Sequence, residues 1–203
     1  MKKSILIIAV VLFGTTTLSA QEYWNFGVKG GLNIANFTGD DFSSDKSRTS
    51  FNVGLLAEIP LMDKFSLQPE VMYSGQGYDI KDIDQDNFLD TDDNIEYQLD
   101  YINVPVLAKI YLVDGLSLQA GPSFNFVVND EIDYKPLEDG GDIDNPGVLP
   151  EPKDFEIGGV AGLEYKFNNA FFVQARYNYG FTDTFDDLDV HNSVWQFGVG
   201  YMF

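Results

Sequence analysis

The stretch Val194-Trp-Gln-Phe-Gly-Val-Gly-Tyr-Met-Phe203 decides the fold, because Trp195, Phe197, Val199, Tyr201 and Phe203 fill every second position. Successive side chains of a strand point to opposite faces, so these five share one face. An apolar, aromatic-rich face that stops on a terminal phenylalanine reads as the closing strand of an outer-membrane β-barrel.

The same alternation recurs upstream and predicts strands over residues 24–37, 50–60, 65–78, 97–112, 116–128, 154–167, 171–182 and 193–203. Eight is an even number, so both ends of an up-and-down antiparallel barrel lie on one side. Connections 61–64, 113–115 and 168–170 are tight, whereas 38–49, 79–96, 129–153 and 183–192 are long. Short periplasmic turns and long extracellular loops are the asymmetry expected of a transmembrane β-barrel.

A soluble barrel of lipocalin type would also alternate, with its apolar face inward. The polar face separates the two. Opposite Phe26, Val28, Leu32, Phe51, Leu55, Val104, Leu118, Ile157, Tyr165, Val173 and Trp195 lie mostly glycine, asparagine, glutamine and serine, with Lys29, Glu58, Glu70, Lys109, Glu164, Lys166 and Arg176 among them. A solvated exterior would be dense in lysine and glutamate; three acids and four bases among small amides suit a narrow interior that neutralises itself. Eight strands enclose room for side chains and little else, so these charges are expected to plug the lumen rather than line an ion path.

Residues 1–20 read as a secretory signal: Lys2 and Lys3, an apolar run from Ile5 to Phe13, and a small-residue finish at Ser19-Ala20. The run is too short to span a bilayer. Leu18 stands three residues before the expected cut at Gln21, where alanine is usual, and residues 21–203 then form one barrel domain. The absence of cysteine excludes disulfides, thiolate metal sites, cysteine catalysis and a lipidated amino terminus.

Loss of Lys2 and Lys3 takes the net charge from −20 to −22. Such acidity argues against nucleic acid, and against anionic headgroups unless a divalent cation bridges them. By these boundaries 23 of the 32 acidic residues fall in the four long loops. Charge runs of this kind ordinarily keep a surface solvated.

Phe26-Gly-Val-Lys-Gly-Gly-Leu-Asn-Ile-Ala-Asn-Phe37 resembles the first strand, and Tyr101-Ile-Asn-Val-Pro-Val-Leu-Ala-Lys109 the central strand, of the PorT-like outer membrane β-barrel proteins of Bacteroidetes-type bacteria. The 158–163 strand and the terminal aromatic extend the resemblance over nearly all of the barrel. It implies a small outer-membrane barrel, with some members tied to protein secretion and gliding, and no catalytic residue to carry over. Pro105 removes a ladder donor, which predicts a local bulge or distortion at the lumen wall.

Two loop features carry candidate chemistry. Asp82, Asp84, Asp86, Asp90 and Asp93 hold places one, three, five, nine and twelve of an EF-hand-type calcium loop, with the Phe88 carbonyl at place seven. Asn87 replaces the usual glycine and Asp93 the usual glutamate, so only weak Ca2+ binding is expected. His191 and Ser193 would share a strand face, an arrangement similar to outer-membrane lipid A deacylases, with Asp187 or Asp189 as the group to orient the histidine.

The expectation is therefore a monomeric, eight-stranded outer-membrane barrel that works as a structural or interaction protein through acidic extracellular loops. A secretion or motility complex is the alternative, and a lipid esterase or small-solute channel comes after it. Its expected contacts are outer-membrane lipid, an extracellular or envelope protein, and the barrel assembly machinery, which would read Phe203 as the end of its signal.

Overall fold

The computed structural model describes residues 24–39, 47–81, 95–133, 142–144, 152–185 and 188–203. They form strands β1 (Asn25–Thr38), β2 (Arg48–Met62), β3 (Phe65–Lys81), β4 (Ile95–Val113), β5 (Leu116–Asp133), β6 (Asp142–Asp144), β7 (Phe155–Lys166), β8 (Phe171–Gly180) and β9 (His191–Met202). Apart from β6, each strand pairs antiparallel with its chain neighbours, and β1 pairs with β9. The result is a closed eight-stranded barrel, in which the three-residue β6 adds to the far end of β5.

Closure leaves no open row of backbone donors and acceptors, which is the condition for a sheet in lipid. The β1–β9 seam runs from Gly27 opposite Met202 to Thr38 opposite His191, and puts Gly31 against Gly198. A Cβ on Gly31 would lie 2.1 Å from the Phe197 carbonyl oxygen, so the two strands approach this closely only because Gly31 carries no side chain. Phe203 lies just past β9, donating its N–H to the Phe26 carbonyl at 2.7 Å.

Turn chemistry sets the narrow end. Gly115, at φ +83°, supplies the left-handed residue of the β4–β5 hairpin. Ala170 does so in the β7–β8 hairpin at φ 69°, where an L side chain is disfavoured. At the other end β3, β4 and β5 run to Lys81, from Ile95 and to Asp133, past the predicted strand limits. The polar run that marked their ends in sequence does not stop ladder pairing, since β-propensity yields to cross-strand partners.

The outer wall is apolar: Phe26, Leu32, Phe51, Leu55, Leu118, Leu163, Trp195, Phe197 and Val199 are all exposed. Aromatic pairs gather towards both ends of it. Phe171–Tyr201 and Tyr165–Phe167, each 5.0 Å between ring centres, sit at the short-turn end, and Tyr177–Trp195 (5.0 Å) and Phe126–Phe155 (5.1 Å) lie towards the other. Such girdles mark the two interfaces of a membrane barrel.

Pro105 produces no bulge, but the ladder to β3 is interrupted there, with no pairing of Val104 and Pro105 between Val106 and Asn103. On both sides of it β4 keeps one register with β3 (Pro69 opposite Val106, Met72 opposite Asn103) and one with β5 (Pro105 opposite Ser123, Ala108 opposite Ala120). The register shifts of the β4–β5 ladder lie instead at Asp100/Tyr101 and Tyr111/Val113.

Candidate functional site

Inward positions of the strands converge on a packed polar lumen. Nearest the short-turn end, Lys109 donates to Glu164 at 2.5 Å, Glu58 at 3.1 Å and the Gln68 side-chain oxygen at 3.1 Å. Tyr111 adds its hydroxyl to Glu58, and Gln119 its amide to Glu164 at 2.7 Å. One layer further in, Glu70 accepts Lys29 at 2.5 Å and both terminal nitrogens of Arg176 at 2.8 Å, with Gln68 donating to it as well. Arg176 also reaches the Gln119 side-chain oxygen at 2.5 Å, which joins the two layers.

Six of the seven predicted lumen charges are thus buried and in contact across the barrel. Lys166 stands apart. It is the last residue of β7, half-buried at the mouth, and its charge acts on Glu58 from a distance rather than through an ion pair.

Above the charges lies a band of amides. Asn33 donates to Ser74 (2.9 Å) and to the Gly75 carbonyl (2.7 Å), while Asn52 (2.7 Å) and Gln196 (3.1 Å) both donate to the Asn33 oxygen. Asn192 continues the band to Gln76. A cavity of about 10 Å3 beside it, lined in part by Asn103, Asn125 and Asn178, is about the size of one water.

The long-loop end of the lumen is closed by apolar side chains. Phe37, Tyr97, Leu99, Tyr101, Ile132, Phe185 and Val190 form one buried cluster, with Phe37 and Phe185 edge to face at 5.7 Å. Phe185 and Val190 come from the connection between β8 and β9, which reads as an acidic loop in sequence. The signal for them was present: Phe185, Leu188 and Val190 are apolar residues among aspartates.

Three polar residues also went unrecognised. Glu156 is buried and accepts the Tyr101 hydroxyl at 2.7 Å; its inward parity, between Phe155 and Ile157, could have exposed it. Arg48, inside a predicted loop, is the first residue of β2 and lies 3.5 Å from Asp100, which also accepts the Tyr73 hydroxyl at 2.7 Å.

His191 and Ser193 find different partners. His191 Nε2 is 3.0 Å from Asp189, whereas the Ser193 hydroxyl meets the Tyr177 hydroxyl at 2.9 Å. The histidine faces a carboxylate and not the serine, so no nucleophile–base pair is assembled. Asp187 lies outside the described residues, as do Asp82, Asp84, Asp86, Phe88, Asp90 and Asp93 of the calcium-type loop and the predicted signal segment.

The fold recurs in solved structures. Ail, the attachment invasion locus protein of Yersinia pestis, crystallised with the heparin analogue sucrose octasulfate, matches with a TM-score of 0.52 at 15% identity, over 89% of this chain and 99% of Ail. Neisserial surface protein A matches with a TM-score of 0.54 at 14% identity, over 88% of this chain and 97% of that protein. At these identities the likeness is one of fold. No curated protein matches the chain in sequence. A family model for the outer membrane protein beta-barrel domain matches residues 19–186, which is most of the barrel. The chain belongs to the outer membrane protein beta-barrel domain family.

Proposed function

We propose that this outer-membrane barrel is an interaction protein whose shut lumen serves as a rigid stake for its acidic long loops. The observation that carries this reading is the blocked interior: two cross-linked charge layers, an amide band and an apolar cap fill the lumen. A solute path would need continuous free volume, which a packed eight-stranded barrel does not offer. What remains for recognition is the long-loop end, which we place outside the cell.

The charge of that end points to the partner. Twenty-three acidic residues in the long connections and the strand ends that border them favour a cationic surface and repel polyanions. Ail crystallised with a polysulfated ligand, and this chain is built for the opposite sign. The matching partner is a basic protein of the envelope or its surroundings. A place in a secretion or motility complex is the finer version, supported by the PorT-like character of 26–37 and 101–109.

Mild cross-linking in intact cells, followed by purification of the barrel from membranes, tests this. The reading expects a basic protein that is captured by the native chain and lost when the aspartates and glutamates of 129–153 become amides. Equal capture by the charge-neutralised chain, with the barrel still folded, contradicts it.

A further inference from the structure

At the long-loop rim, three metal-ligating side chains meet outside the lumen network. Asp183, Asp189 and His191 each offer one ligand atom, all within 4.8 Å of one another. The imidazole Nε2 is 3.0 Å from Asp189 Oδ1 and 4.0 Å from Asp183 Oδ1. Ligand atoms around a tetrahedral zinc-sized ion stand roughly 3.3 Å apart, as bond lengths of about 2.0–2.2 Å require. The two separations bracket that value.

The ring is oriented from its far side. His191 Nδ1 lies 3.4 Å from the Thr182 carbonyl oxygen, which accepts from Nδ1 in the tautomer protonated there. In the neutral ring Nε2 then presents a lone pair to two carboxylates. Where Nε2 carries no proton, a metal ion between these acceptors offsets their repulsion. Lys153, 3.6 Å from the other oxygen of Asp183, competes for that carboxylate and leaves Oδ1 as its site-facing atom, while the Tyr179 ring packs 5.6 Å from the imidazole.

We propose that Asp183, Asp189 and His191 bind one divalent metal ion of borderline character, with zinc the best fit, leaving a fourth position to water or an anionic group. One nitrogen and two carboxylate oxygens suit such an ion better than magnesium or calcium, which prefer all-oxygen shells. The location gives it a task. Thr184, next to Asp183, donates its N–H to the Val190 carbonyl at 2.7 Å, and Val190 adjoins both Asp189 and His191. An ion on these side chains pins the backbone that holds Phe185 and Val190 in the apolar cap. This site is independent of the interaction reading above.

The chain has one histidine, so every imidazole resonance belongs to His191. The test adds ZnCl2 to the untagged, 15N-labelled barrel refolded in detergent, and follows the ring nitrogens. We expect a large Nε2 shift that saturates at one equivalent, an affinity at least tenfold lower in Asp189→Asn, and no change in affinity in Asp63→Asn at the short-turn end. Zinc should also raise the thermal midpoint of the native protein and not that of His191→Gln. Imidazole resonances that ignore zinc would overturn the proposal, whether zinc goes to the acidic loops, His191 stays a doubly protonated ion-pair partner, or no zinc binds. The native-protein spectrum decides even if a variant fails to fold.

Discussion

Arg176 and Glu70, 106 residues apart in the chain, form a two-pronged ion pair at the centre of the lumen, both contacts at 2.8 Å. Both side chains are buried, and Lys29 shares the same carboxylate. Their strands are not neighbours, so the pair braces the barrel across its interior.

Removing Arg176 leaves the lumen set one cation short in a dry interior, with Glu70 held by Lys29 and Gln68 alone. Arg176→Ala should lower stability by about 3 to 5 kcal/mol, read from urea-dependent refolding in detergent. Replacing Arg176 and Glu70 together by methionine and leucine should not recover that loss, because buried Lys29 then loses its carboxylate. A single variant as stable as the parent would show that the pair is dispensable.

The hairpin at Ala170 stores a smaller strain. With φ at 69° and its carbonyl accepting the Met202 N–H at 2.9 Å, Ala170→Gly should stabilise the barrel by up to about 1 kcal/mol in the same refolding assay. A loss of stability would mean that the methyl contact with Leu56, Phe172 and Met202 outweighs the backbone gain.

Phe203 is exposed on the outer wall, with its ring 5.7 Å from Tyr201. As lipid-facing packing alone, its deletion should cost about 1.5 to 3 kcal/mol and reduce refolding and cellular yield alike. As the end of an assembly signal, its deletion should deplete the outer membrane while refolding in detergent holds. Comparing the two yields separates the roles, and we expect the second outcome.

Sidedness follows from loop length. An epitope inserted within 145–151 should be reached by antibody on intact cells, and one between Asp114 and Gly115 should not. Labelling of both or neither would contradict this orientation, and labelling of the second alone would reverse it.

Strands were legible in sequence because lipid outside and amides inside force a two-residue period, and Trp195 to Phe203 carries that period without a break. The inward charges were legible as a set for the same reason. Who meets whom was not, since Arg176 finds Glu70 through a register that only the closed sheet defines. Tyr101 escaped notice because an aromatic in a membrane strand reads as lipid-facing, and Arg48 because the serines and aspartates around it look like loop. Phe185 and Val190 were hidden for a similar reason: their aspartate neighbours dominate the local pattern, while their burial depends on Phe37 and Tyr97, far away in the chain.

Planar-bilayer recording of the purified native barrel decides whether the lumen is shut. With Lys109, Glu58, Glu164, Glu70, Lys29 and Arg176 held in ion pairs beneath the Phe37–Phe185 cap, a silent trace with no steady pore is expected. A stable, ion-selective conductance from the native protein would contradict it.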